Sequence, residues 1–193
     1  MKKKTKLIFG VGINDANYSI VKRDGGKTVW RCPFYSTWYN MLLRCYSKRY
    51  HMKKPTYIGC SVSNNWLIFS NFKKWMQLQN WEGMQLDKDL ICENNKIYSQ
   101  ETCIFISNSI NMFICNHGNF PIGAYWDSKV EKFISNCVNP FTQKKEYLGR
   151  FSQPDDAHDA WRKRKHEHAL VYASNQLDNR IANSLIKRYV VLE

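Results

Sequence analysis

The sequence predicts an α+β protein made of two small modules: a helical scaffold carrying a ββα unit, then a three-stranded antiparallel sheet backed by a helix. Three observations predict it. Aromatic residues recur at helical spacing between Trp38 and Met76. Residues 84 to 113 run in the order strand, loop, strand, helix. From Pro121 the pattern changes to three short β-rich segments and then a long helix. The expected domains are an N-terminal hairpin or arm over 1–34, a first module over 35–117, and a second over 118–193.

Each element has its own signal. Tyr18 to Lys22 and Lys27 to Cys32 flank Asp24-Gly25-Gly26, which is hairpin turn chemistry. Trp38, Met41, Leu42 and Cys45 fall at i, i+3, i+4 and i+7, one face of a helix. Ser47 to Thr56 reads as a polar, basic loop ahead of Pro55. A second helix begins near Asn64 or Asn65, either of which can cap it, and carries Trp66, Phe69, Phe72, Trp75 and Met76. Both aromatic stripes read as core. Met84 to Ile91 is a strand, Glu93-Asn94-Asn95-Lys96 a turn, Cys103 to Ile106 a second strand, and Ser107 opens a helix through Asn111 and Phe113.

His117-Gly118-Asn119 reads as a linker. Ile122 to Trp126, Lys132 to Val138 and Lys144 to Arg150 read as strands, with Asn139-Pro140 as a breaker. A helix follows from Pro154, with Ser152 and Asp155 as a capping box and Ala157, Ala160 and Trp161 on its inner face. It includes the cationic run Arg162-Lys163-Arg164-Lys165-His166. A last helix from Gln176 to Tyr189 carries Leu177, Ile181 and Leu185 at i+4 steps.

Composition narrows the function. The 193 residues carry a formal net charge of +13, with 44% hydrophobic and 15% aromatic residues. That apolar content suits a packed core rather than a disordered chain. The cation excess points to a polyanion, because each Lys or Arg that meets a phosphate releases a condensed counterion. A membrane surface is the competing partner, but it needs cations grouped on one amphipathic helix, and here they spread along the chain. Seven cysteines sit at 32, 45, 60, 92, 103, 115 and 137 with no Cys-x-x-Cys pair, which argues against a zinc ribbon. Met1-Lys2-Lys3-Lys4 is followed by an apolar stretch, Leu7-Ile8-Phe9, too short for a signal peptide, and no window suits a membrane span. The expectation is a reduced, cytoplasmic protein with buried thiols.

Leu86-Asp87-Lys88-Asp89, Tyr98-Ser99-Gln100-Glu101-Thr102-Cys103 and Asn111 form an ordered set. Upstream stand Trp38, Met41, Arg44-Cys45, Tyr57-Ile58-Gly59, Val62, Trp66, Phe69 and Phe72. Together, over about residues 35 to 113, this pattern resembles the phage HNH endonucleases, a branch of the ββα-metal nucleases. The resemblance implies one divalent cation per site, Mg2+ or Mn2+, held by Asp87 and Asn111, and a bacterial-cytoplasmic, phage-encoded protein. Such chemistry needs a cation, because a phosphodiester is an unreactive anion whose building charge must be neutralised. Oxygen donors with retained waters suit magnesium. A general base must activate water. Here the chain departs from the family: Lys88 stands in the place of the general-base histidine, and Thr102 in that of the asparagine that orients it. Lysine is a poor base at neutral pH unless its pKa is depressed. Three readings stay open: Lys88 holds a phosphate while His51 or Tyr57 supplies the base, Lys88 is itself a tuned base, or the module binds DNA without cutting. Arg44 is expected to contact DNA.

The plainer readings stand beside these. Asp87 and Asp89 can flank a turn, Asn111 can be a surface residue of its helix, His51 can be a solvated neighbour of phosphate, and Cys103 can pack in the core.

Pro121-Ile122-Gly123-Ala124-Tyr125, Lys132-Phe133-Ile134, Tyr147-Leu148-Gly149-Arg150-Phe151, Asp156-Ala157 and Ala160-Trp161 with Lys165 form the second pattern. It resembles the APETALA-type (ethylene-response-factor-like) DNA-binding domain over about residues 118 to 172. The resemblance implies a three-stranded sheet laid in the major groove of duplex DNA and backed by one helix. The groove is wide enough to admit strands. Tyr125, Lys129, Lys132, Lys144, Lys145 and Arg150 are the expected DNA-facing set, the lysines on phosphate and Arg150 on a guanine edge. A solvated cationic face is the other reading. Asn136 departs from the family's small or basic residue, so no sequence preference carries over. The expected partner is double-stranded DNA, with no membrane and no small-molecule substrate, and the expected activity is metal-dependent endonuclease cleavage. The alternative is a catalytically degenerate HNH-fold DNA-binding or host-interaction protein. The sequence leaves the oligomeric state open.

Overall fold

A computed structural model describes residues 7–115 and 121–190. Among them are six α-helices and nine short strands in small sheets, so the chain is mixed α+β. It divides into two compact units, Met1–Ile106 and Ser107–Glu193.

The first unit is built on aromatic packing. After the ribbon β1 (Val21–Asp24) and β2 (Lys27–Arg31) come α1 (Pro33–Tyr46), α2 (Lys48–Lys53) and α3 (Phe69–Gln77). The stripe Trp38, Met41, Leu42 and Cys45 of α1 meets Trp66, Phe69, Phe72 and Met76, and all eight are buried. Trp38 Nε1 donates to the Trp66 carbonyl at 2.7 Å, so its one polar atom is satisfied inside the core. The remaining strands are very short: β3 (Ser61–Val62) pairs in parallel with β5 (Ile97–Tyr98), and β4 (Gln85–Asp87) pairs antiparallel with β6 (Ile104–Ile106).

Several local expectations are corrected. Ser47 to Thr56 is not a loop, because the Ser47 hydroxyl accepts from Tyr50 N and caps α2. Neither Asn64 nor Asn65 caps α3. A 3-10 turn, Asn64–Leu67, intervenes, and the acceptor comes from far away in sequence: Asp15 Oδ1 takes the Ser70 N–H at 2.9 Å. The strand expected over Met84 to Ile91 stops at Asp87. The Asp87 carboxylate turns back to accept the Asp89 and Leu90 N–H groups at 2.9 and 2.6 Å, which competes with ladder pairing.

The second unit holds α4 (Asn108–Ile114), β7 (Ala124–Asp127), β8 (Lys132–Val138), β9 (Lys145–Phe151), α5 (Pro154–Ser174) and α6 (Asn179–Arg188). The sheet order is β7-β8-β9, antiparallel throughout. Ser135 Oγ donates to the Ala157 carbonyl at 2.7 Å and fastens α5 to one sheet face. The expected boundary at 117/118 falls on residues outside those described, whereas the units divide just before α4. Phe113 of α4 packs on Tyr172 and Tyr189, with ring centroids 4.9 and 5.4 Å away, and this ties the helix to the second unit. The linker expected at His117-Gly118-Asn119 also lies outside the described residues.

Two helix starts differ from expectation. Ser152 does not cap α5: its hydroxyl accepts from Lys132 Nζ, and Gln153 is the N-cap residue without a side-chain bond. The last helix starts later, where Asp178 accepts the Arg180 N–H, and Leu177 is left fully exposed while Ile181 and Leu185 are buried. The thiols follow expectation in five of seven cases; Cys92 and Cys115 are exposed.

Gly123 gives a direct test of the second unit's packing. Its φ is +84°, and a Cβ there would lie 2.3 Å from Trp161 Cγ. Strain at positive φ and overpacking each cost of order 1–3 kcal/mol. Gly123→Ala is expected to destabilise the protein by about 3 kcal/mol in urea unfolding, and an unchanged midpoint would contradict this packing.

Candidate functional site

In the first unit Arg44, Tyr57 and Lys88 meet around a buried polar cluster. The Asp87 turn ends β4 and points the next residue inward. Lys88 is only 6% exposed. Its ammonium donates to Asp89 Oδ1 at 2.5 Å and to the Asn95 carbonyl at 2.8 Å, and lies 5.8 Å from the Tyr98 ring centroid. Asn95 returns the contact, its amide donating to the Lys88 and Ile97 carbonyls. Lys88 is therefore committed at both its ammonium and its backbone.

Arg44 approaches the same place from α1. Its guanidinium stands 5.8 Å from the Tyr57 ring centroid. Burial works against its charge, but Tyr98 and Tyr57 beside it more than offset that, and its pKa is raised. Burial pushes Tyr57 up as well, with Arg44 and Lys88 opposing, so its phenol stays protonated at neutral pH. Burial likewise raises Tyr98. His51 Nε2 pairs with the Arg44 carbonyl at 2.8 Å. Thr102 Oγ1 donates to the Ile97 carbonyl at 2.7 Å and faces Ser99 Oγ at 3.1 Å, holding the turn before β6.

Arg44, Tyr57 and Lys88 are thus brought together, with His51 on the backbone behind Arg44. Tyr98, Asn95 and Asp89 complete the cluster, although sequence reasoning named none of them as a site residue, reading Asp89 and Asn95 as turn residues. Tyr98 stood in the Tyr-Ser-x-Glu-x-Cys motif, which was the available signal.

Asp87 is half-buried, and desolvation raises its carboxyl pKa even though two backbone N–H groups lower it. Among the described residues no Lys or Arg side chain forms an ion pair with it, Lys88 being engaged by Asp89. A half-buried carboxylate without a cation partner fits a divalent ion electrostatically. Asn111 stands on α4 in the other unit, where its backbone closes helical bonds with Ser107 and Cys115. Among the described residues no three His, Cys, Asp or Glu side chains gather as a ligand group.

In the second unit the sheet register separates two faces. Ser135 and Cys137 face α5, the first bonding Ala157 and the second lying 3.9 Å from His168 Nδ1. Glu146, paired with Cys137, is on that face too and takes a two-point ion pair from Arg164, which holds its carboxyl down at about 2. Alternation then puts Tyr125, Ile134 and Arg150, which are mutual partners, on the open face. Lys132, Asn136, Tyr147 and Lys145 join them, because a bulge at Ser135/Asn136 shifts the register by one residue, from Gly149 to Tyr147. Lys145 Nζ lies 5.6 Å from the Tyr125 ring centroid. Tyr125 is 56% and Tyr147 59% exposed. Lys129 sits in the β7–β8 turn, its N–H on Asp127 Oδ1, and Lys144 in the β8–β9 loop. Tyr147 was missed because it served only as a family motif letter.

The cationic run on α5 is mostly spent internally. Arg162 donates to the Val190 carbonyl, Arg164 binds Glu146 and Glu167, and Lys165 is 8% exposed. Lys165 donates to the Phe113 carbonyl at 2.6 Å, lies 3.7 Å from that residue's ring centroid, and lines a cleft of about 570 Å³ with Cys137, Trp161 and Tyr172. No family model, curated protein or solved structure matches the chain.

Burial lowers the Lys165 pKa to about 8. The unfolded chain keeps this proton to about 10.4, so the unfolded state binds more protons between those values and the penalty for burying the charge fades as pH rises. Lys165→Met is therefore expected to be more stable than the parent at pH 7, by up to about 3 kcal/mol. The Phe113 carbonyl keeps Tyr189 Oη as a donor at 3.3 Å. The advantage should shrink steadily from pH 8 to 10 in parallel urea titrations. A gap that stays constant with pH would refute the buried charge.

Proposed function

We propose that this chain binds double-stranded DNA through the open face of β7-β8-β9 and cleaves it as a metal-dependent HNH-type endonuclease, phage-encoded and at work in the bacterial cytoplasm. The observation that carries the reading is the sorting of that sheet: Glu146 and Cys137 turn to α5, while Tyr125, Tyr147, Lys132, Lys145 and Arg150 turn away from it. Aromatic rings and cations on an open strand surface match what a groove offers, with phosphates for the lysines and a base edge for Arg150. The net charge of +13 supplies the long-range attraction.

The nuclease part rests on the resemblance of residues 35 to 113 and on the succession of β4, β6 and α4 in chain order. Asp87 would hold one magnesium or manganese ion, with Asn111 named as the second ligand by the resemblance alone, and the ion when bound would supply charge neutralisation at the scissile phosphate. Around it the chain's own groups have separate duties. Arg44 offers a persistent cation to a phosphate oxygen. Tyr57, protonated at neutral pH, can donate a hydrogen bond to the same group. Asp89 and the Asn95 carbonyl hold the Lys88 ammonium in place.

One observation favours a second reading, a catalytically degenerate module that binds DNA without cutting. Lys88, in the place of the family's base, is buried and bonded on both sides, and Thr102 is occupied by a turn. Supercoiled-plasmid nicking with magnesium and with manganese separates the two. The nuclease reading expects nicking that chelation abolishes. Asp87→Asn, which keeps an acceptor for the Asp89 and Leu90 N–H groups, is expected to lower the nicking rate at least about a hundredfold, the scale of removing one charge-stabilising group, while duplex affinity changes less than about twofold. Tight duplex binding with no nicking under either ion would select the degenerate reading.

A further inference from the structure

The ribbon β1–β2 takes no part in the first unit's core. Of its eleven residues from Val21 to Arg31, all but Val21 are exposed, including Val29 at 64% and Trp30 at 41%. A two-stranded hairpin with both faces in water is only marginally stable. It carries Lys22, Arg23, Lys27 and Arg31 against one carboxylate, Asp24, a net charge of +3.

The register sorts these residues. Val21 pairs with Arg31, Lys22 with Trp30, Arg23 with Thr28 and Asp24 with Lys27, with a bulge between Lys22 and Arg23. One face presents Lys22, Trp30, Asp24 and Lys27, and there Lys22 Nζ sits 5.6 Å from the Trp30 ring centroid. The other presents Arg23 and Arg31 with only Val21 and Thr28 between them and no carboxylate. The base is fastened, since Cys32 N donates to the Ile20 carbonyl at 2.8 Å and Cys32 is buried at the start of α1. From that base the arm extends about 17 Å to Gly25-Gly26, at about 3.4 Å per residue.

We infer that this ribbon is a second grip on duplex DNA, entering the major groove with its Arg23–Arg31 face towards the phosphates. The inference rests on the proposed reading of duplex DNA as the partner. A two-stranded ribbon fits that groove, which is about 12 Å wide and 8.5 Å deep, and the arm is longer than the groove is deep. Charge complementarity chooses the occupant. A lipid surface would favour an apolar face opposite a cationic one, whereas here Trp30 shares its face with Lys22, Asp24 and Lys27, and the opposite face holds Arg23 and Arg31. A-form duplex RNA has a major groove too narrow to admit the ribbon.

The test is fluorescence anisotropy of a labelled DNA duplex titrated with the full chain over a series of salt concentrations. Arg23→Ala/Arg31→Ala is expected to lower affinity roughly tenfold or more and to reduce the slope of log K against log salt by about 1.8, at about 0.9 per phosphate contact. Arg23→Lys/Arg31→Lys should keep the parental slope. Thermal melting of both variants should match the parent, because the ribbon lies outside the core. An Arg150→Ala variant serves as the comparator for the open sheet face. If Arg150→Ala weakens binding while the ribbon double variant keeps parental affinity and slope, the ribbon inference fails and the DNA reading stands. A wild-type chain that does not bind duplex DNA overturns both. Equal or tighter binding to duplex RNA, or ribbon-dependent binding to phosphatidylserine vesicles without a ribbon effect on DNA, overturns the groove assignment.

Discussion

The first unit depends on the contact between α1 and the segment that leads into α3, where Trp38 reaches the Trp66 carbonyl inside an aromatic core. The strands there are two or three residues long and cannot bury enough surface to stand alone. The tryptophans and phenylalanines supply what they lack, since each buries a large apolar area. Tyr98, at the end of β5, joins that core with its ring and meets Arg44 with its phenol. The core and the polar cluster therefore share a residue, and the cluster's geometry is inherited from apolar packing.

Within the cluster the governing effect is desolvation. Cations and phenols drawn from α1, the turn after Pro55, and the segment between β4 and β5 are held where water is scarce. Arg44 keeps its charge because the tyrosines beside it outweigh its burial. Lys88 keeps its place through Asp89 and a backbone carbonyl. Cys45 and Cys103 nearby are pushed up to about 12 by the same burial and stay as thiols.

The second unit solves a different problem. A three-stranded sheet has two faces, and one helix covers one of them. Glu146 decides which face that is in electrostatic terms, because its carboxylate takes Arg164 from α5 in a two-point pair and lies 3.3 Å from His168. Arg164 of α5 is thereby absorbed, and the cations of the strands are left on the other side.

The sequence by itself determined the elements and much of their apolar sidedness. Helical spacing marked Trp38 to Cys45 and Phe69 to Met76, and alternation with turn residues marked β7, β8 and β9 nearly to their ends. These signals are local, because the period of a helix or strand is written in neighbouring residues. Tertiary structure alone decided the rest. It ended β4 at Asp87, gave α3 its cap from Asp15, grouped α4 with the second unit through Phe113, and buried both Lys88, which the sequence placed at the general-base position, and Lys165, which it placed in a cationic run. Each of these depends on a partner distant in the chain or on a side chain folding back on its own backbone. The balance between hydration and such a partner is settled only when packing removes the water.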